Sequence, residues 1–162
     1  MHDIFDIACN FTSERFDGDL EEIINRAIKN NVTKFGLICS RVKDFPRLIN
    51  IYNNFSDSMR FTIGVHPHHA NEFNNEYLLQ LQNLIKDNPP HAIGETGLDF
   101  FRNLSSYDEQ IYAFEEQIKL AITYNKPLFL HQRDSHEDFI RILRNYSSDI
   151  NKSVVHCFTG TQ

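Results

Sequence analysis

Six short runs rich in apolar and β-branched residues recur along this chain. They lie at Asp3 to Cys9, Thr33 to Cys39, Phe61 to Val65, His91 to Glu95, Pro127 to His131 and Ser153 to Cys157, about 26 to 36 residues apart from start to start. That interval holds one strand, one helix and two loops, so the runs are expected to be the strands of a repeating βα series. The segments between them carry the matching helical period. Leu20, Ile23, Ile24, Ala27 and Ile28, then Phe45, Leu48, Ile49 and Tyr52, then Ile111, Phe114, Ile118, Ala121 and Ile122 each fall on one face at i, i+3, i+4 spacing. Ser106 followed by Glu109 is a capping-box start, and Pro89-Pro90 punctuates the loop into the fourth run. A parallel series this regular is either doubly wound or a barrel. No Gly-x-Gly-x-x-Gly follows the first run, which lowers the dinucleotide-binding, doubly wound reading.

The remaining bounds are broad. Residues 1–162 are read as one domain, with no linker or repeat dividing them, and the 41% hydrophobic share suits a globular core. The longest apolar stretches are runs such as Phe35 to Cys39, far short of the roughly 20 residues that span a bilayer. Acids at Asp3 and Asp6 stand where a secretory signal needs a basic region, so a cytoplasmic protein without membrane partners is expected. Cys9, Cys39 and Cys157 form no Cys-x-x-Cys pair and read as reduced, packed thiols. A net charge of −6 argues against a broad nucleic-acid-binding surface, so any polyanion is to be met locally by a metal and a few arginines. No obligate protein partner is evident in the sequence.

Glu95, His131 and His156 end three successive predicted strands. In parallel α/β folds the C-terminal strand ends converge on one face, where chemistry is placed. A buried carboxylate is costly unless it meets a cation, and two imidazoles with one carboxylate make a partial metal shell with open positions. Only a closed barrel gathers several such strand ends about one centre, which favours the barrel reading. His66 follows the third strand and is expected in the site, whereas His68 and His69 are expected to open the next helix as cap or surface residues. Asp99 and Arg102 fall in the loop after the fourth strand and either touch substrate or pair with each other. Arg133 follows His131 and can offset charge on phosphoryl oxygens.

The motifs Asp6 to Thr12, Gly64-Val65-His66-Pro67-His68, Ile93-Gly94-Glu95-Thr96-Gly97-Leu98-Asp99, His131 to Ser135 and His156 to Thr161 closely resemble, in that order, the TatD family of metal-dependent nucleases, nearest its bacterial TatD branch. The resemblance implies a TIM-type (β/α)8 barrel of the metal-dependent hydrolase superfamily. It further implies a magnesium-dependent deoxyribonuclease, in this branch a 3′ to 5′ exonuclease on single-stranded DNA or RNA. Glu95, His131 and His156 match the family's metal ligands, which an aspartate from the last strand completes. Ala8 and Asn10 stand where many relatives carry His-x-His, so two imidazoles of a second metal site are not supplied. A barrel of this kind needs about 250 residues. The chain is therefore expected to hold about six βα units of an incomplete barrel, without the last aspartate, and to be poorly stable with open edges.

Donor chemistry and family habit differ on the ion. Two imidazoles suit zinc or manganese, whereas magnesium prefers oxygen, and magnesium is taken as the working ion. In the expected reaction the metal polarises a phosphoryl oxygen and activates a water, with His66 binding the phosphate or protonating the leaving oxygen. Two other readings stay open: an amidohydrolase acting on a small ester or amide through the same ligands, and an inactive remnant.

Overall fold

The computed structural model describes residues 2–160, so Thr161 of the last motif lies outside the described residues. Six strands alternate with five α-helices: β1 (Ile4–Cys9), α1 (Leu20–Lys29), β2 (Val32–Leu37), α2 (Phe45–Asn54), β3 (Met59–Ile63), α3 (Asn75–Asp87), β4 (Ala92–Asp99), α4 (Tyr107–Thr123), β5 (Leu128–Arg133), α5 (His136–Asn145) and β6 (Ser153–His156). Every neighbouring pair is parallel and the strand order follows the chain. Sequential order with helical crossovers makes these six βα units of a TIM-type barrel.

The helices form where the apolar stripes predict them. In α1, Glu21 and Glu22 occupy the first turn and Arg26 and Lys29 the last, complementing the helix dipole, while Ile24 is fully buried. Ser106 and Glu109 form the expected capping box at the start of α4. Phe114 of α4 stacks on Phe139 of α5 at 5.3 Å, so the two helices share one layer of core against β4 and β5. Among the described residues, no helix is long and apolar enough to cross a membrane.

The strand limits differ from the sequence expectation where it matters most. β4 continues past Glu95 to Asp99 and β5 past His131 to Arg133. Both site residues therefore lie inside strands. Hydropathy ends a strand at its first polar residue, but these polar side chains are buried and have partners. Cys9 and Cys39 are buried, and burial pushes both thiols up, that of Cys39 to about 12. Cys157 is exposed, contrary to the packed position expected, because it follows the end of β6 with a positive φ of 54°.

Among the described residues β1 pairs only with β2, and β6 only with β5. Ile4 and Phe5 on one edge and Val154 and Val155 on the other remain exposed, Ile4 by 52%. Unpaired apolar edges template association. The 162-residue chain is expected to elute as mixed oligomers on size-exclusion chromatography and to melt broadly. A sharp monomer peak with one cooperative melt would contradict this.

Candidate metal centre

Glu95 is placed by the two glycines that bracket its motif. Gly94 and Gly97 adopt φ values of +135° and +142°, and a Cβ on either would stand 2.1 Å or 2.0 Å from a carbonyl oxygen of β5. No other residue allows β4 to lie this close to β5. The β4–β5 register shifts between Ile93 and Thr96, and the Glu95 carboxylate is buried at 7% exposure.

Three imidazoles converge on that carboxylate. Glu95 Oε1 lies 3.0 Å from His131 Nδ1 and 3.4 Å from His66 Nε2, and it is hydrogen-bonded to His156 Nε2. The ligand-type atoms of His66, Glu95 and His131 all lie within 4.8 Å of one another. Burial pushes the Glu95 carboxyl up, but the imidazoles of His131, His156 and His66 around it outweigh burial and hold the group well below the usual carboxylate range.

Hydrogen-bond accounting separates the three rings. The His68 backbone N–H donates to His66 Nδ1 at 3.1 Å, so in the neutral ring the proton sits on Nε2. Burial holds the His66 imidazole below its ordinary value, with Glu95 acting in the opposite sense, which keeps the ring neutral. His66 therefore presents an N–H to the centre. His131 is oriented the other way. Its Nε2 meets Asp99 Oδ2 at 3.3 Å and its Nδ1 meets Glu95 Oε1 at 3.0 Å, so each ring nitrogen faces a carboxylate; in the tautomer that lets His66 donate to Nδ1, the hydrogen sits on Nε2 and Asp99 accepts it. The lone pair of Nδ1 then accepts from the His66 Nε2–H at 3.3 Å and faces Glu95 Oε1 at 3.0 Å, where a second proton or a metal ion would offset the negative charge.

The donor set fits a divalent ion. Two ligands held about 2.1 Å from one ion stand roughly 3.0–3.4 Å apart, which matches the 3.0 Å between Glu95 Oε1 and His131 Nδ1. An outer carboxylate that fixes the tautomer of a ligating histidine is the usual support for such a site. Asp99 has that position. It is the last residue of β4, buried, and not part of the following loop as its sequence position suggested. Its Oδ2 also accepts from His68 Nε2 at 2.6 Å, and its Oδ1 accepts the backbone N–H groups of Phe101 and Arg102 at 3.1 and 2.8 Å. Burial raises the Asp99 carboxyl, while the Arg102 amide and His68 lower it, for a net downward shift.

Two further residues escaped the sequence reading. Gln117 and Gln110, both fully buried on α4, grip backbone beside the centre. Gln117 Oε1 accepts from Val65 N at 2.7 Å and its Nε2 donates to Val65 O at 3.1 Å, fixing the residue before His66. Gln110 does the same for Asp99, at 2.8 Å and 3.3 Å. His68 also lies in the centre and not on the surface. His66 caps the 3-10 turn Pro67–Glu72, which carries His68 inward to Asp99.

A cavity of about 640 Å³ opens beside Glu95, His66 and His156 and is also lined by Arg15, Arg41, Glu14, Asp44, Ser13 and Ser40. Of the arginines expected near substrate, Arg102 is exposed, and Arg133 lies over the ring of Phe101. The structure thus gathers His66, Glu95, His131, His156 and Asp99 and leaves Arg102 and Arg133 at the rim.

Residues 5–162 match the model of a family described as TatD related DNase. The chain belongs to that family. Among the curated TatD proteins, the 3′-5′ ssDNA/RNA exonuclease TatD of Pantoea ananatis is 39% identical over 159 residues, 98% of this chain and 61% of its own length. The protein of the same name from Erwinia tasmaniensis is 38% identical over the same shares. Among solved structures, the TatD homologue YJJV from Escherichia coli superposes with a TM-score of 0.90 at 29% identity, over 98% of this chain and 61% of that one. A hydrolase TatD family protein from Entamoeba histolytica gives 0.89 at 30%, over 99% and 60%. The chain thus spans about three fifths of the length of these TatD relatives.

Proposed function

We propose that this protein is a divalent-metal phosphodiesterase acting as a 3′ to 5′ exonuclease on single-stranded DNA or RNA, a single cytoplasmic domain with magnesium as its working ion. One observation supports the reading above all: His131 Nδ1 and His156 Nε2 both meet Glu95 Oε1, and Asp99 Oδ2 faces the other ring nitrogen of His131. In this proposal Glu95, His131 and His156 hold the ion. When bound, it supplies a Lewis acid for a phosphoryl oxygen and lowers the pKa of a coordinated water.

The protein side chains account for the rest. His66 Nε2–H enters the same centre and offers a donor to a phosphate or leaving oxygen, held in that tautomer by the His68 amide. Gln117 keeps the His66 backbone in register, so the donor is preorganised and does not have to be found by a flexible loop. Arg15 and Arg41 line the cavity together with Glu14 and Asp44, and Arg41 is paired with Asp44 at 3.0 Å, so Arg15 is the cation that would meet a polyanion there.

The proposal is tested with the full chain and an oligonucleotide labelled at either end, in magnesium, manganese or zinc. Metal-dependent loss of the 3′ label first, from single strands and not from duplex, is expected. Turnover of neutral esters with no cleavage of the oligonucleotide would favour the amidohydrolase reading, a name also carried by a structural neighbour from Saccharomyces cerevisiae at a TM-score of 0.87 and 25% identity.

A further inference from the structure

The cavity beside the centre is lined mostly by polar and charged side chains, acidic as well as basic, and by no phenylalanine or tyrosine. It offers no flat aromatic face for a base. Such a face stands at the rim above β4 and β5. Phe101 is 58% exposed, and the guanidinium carbon of Arg133 lies 3.9 Å from its ring centroid, the one cation–π pair among the described residues. The pair is fixed in place. The Phe101 N–H donates to Asp99 Oδ1 at 3.1 Å, and the Phe100 N–H donates to Arg133 O at 3.0 Å.

The same carboxylate that anchors this ring orients His131 through its other oxygen. Arg133 follows His131 by two residues on β5, so it shares the face and stands about 7 Å further along. A phosphate at the centre and a base on the rim are thus separated by one step of a strand.

We propose that Phe101 and Arg133 form a stacking platform for an unpaired nucleobase of the strand whose phosphate occupies the centre. The proposal rests on the nuclease reading of that site. Every base has a π-face, so the platform takes any sequence, and it selects single strands because a paired base is already covered on both sides.

The chain contains no tryptophan and six tyrosines, so Phe101→Trp places a single tryptophan, excited selectively at wavelengths the tyrosines do not absorb, on the platform. With manganese and a phosphorothioate-linked octanucleotide, the fluorescence of this variant is expected to be quenched on binding, while an abasic strand of equal charge leaves it unquenched. Phe101→Ala is expected to weaken binding of the normal octanucleotide about tenfold, measured by anisotropy, and to bind the abasic strand as wild type does. Because Phe101 is exposed, both variants are checked by an unchanged thermal melt. Binding that leaves the tryptophan emission unmoved, with Phe101→Ala equal to wild type, overturns the platform. If manganese titrates into the centre and no oligonucleotide binds wild type, the nuclease reading falls and the platform with it.

Discussion

Glu95→Ala is expected to abolish stoichiometric manganese binding, with affinity falling more than about 100-fold, since removal of a ligand exceeds the 10- to 100-fold typical of an outer-shell change. Cleavage of a single-stranded oligonucleotide is expected to vanish with it. Alanine also removes the oxygen on which three imidazoles converge, so Glu95→Gln supplies the control. The amide keeps an acceptor oxygen of the same shape but lacks the negative charge. Both variants are expected to lose metal, and the glutamine variant is expected to keep more of the thermal stability. Metal binding retained in Glu95→Gln would show that the carboxylate is only an acceptor for histidines. The pH dependence follows from the downward shift of this carboxyl, which burial opposes and the three histidines cause. A depressed acid contributes stability that is present above its ordinary value and is lost as pH falls through its lowered one. The metal-free fold is therefore expected to keep this contribution at neutral pH and to lose it only in strong acid, as measured by melting temperature against pH.

Asp99→Asn is expected to cost 10- to 100-fold in metal affinity without touching the ion. Asp99 accepts four hydrogen bonds, two backbone N–H groups on Oδ1 and two imidazoles on Oδ2. Asparagine has one acceptor oxygen, and its NH2 must then oppose either the amides or the imidazole N–H groups. If the amide turns its nitrogen toward His131, that ring exchanges tautomer and its Nδ1 acquires the hydrogen that the ion must displace. Calorimetric titration reads the loss directly. An unchanged dissociation constant would remove the orienting role and leave Asp99 as a helper of the Phe101–Arg102 loop alone.

Much of this centre can be read from residue order. Apolar runs ending at Glu95, His131 and His156 mark three neighbouring strands, and parallel pairing brings His131 level with His156. Less legible is what lies between strands. Gln110 and Gln117 lie among Ala113, Phe114, Ile118 and Ala121 on the buried face of α4, and a polar residue on an apolar stripe is the one sequence signal they give. Their role depends on how α4 crosses β3 and β4, which periodicity does not encode. His68 reads as a cap residue because Pro67 begins a turn, yet the turn is 3-10 and so carries the ring inward to Asp99. The strand ends at Asp99 and Arg133 are hidden for a related reason: hydropathy treats a polar residue at a strand end as loop, although Asp99 is buried and accepts four hydrogen bonds and Arg133 lies over the Phe101 ring.

The most direct test of the ligand assignment is a manganese-soaked crystal of the full chain, with data collected at the manganese absorption edge. The account predicts one anomalous peak in contact with Glu95 Oε1, His131 Nδ1 and His156 Nε2, with His66 Nε2 outside bonding distance of the ion. A peak bound to His66 in place of His156, or no peak at this centre, would contradict it.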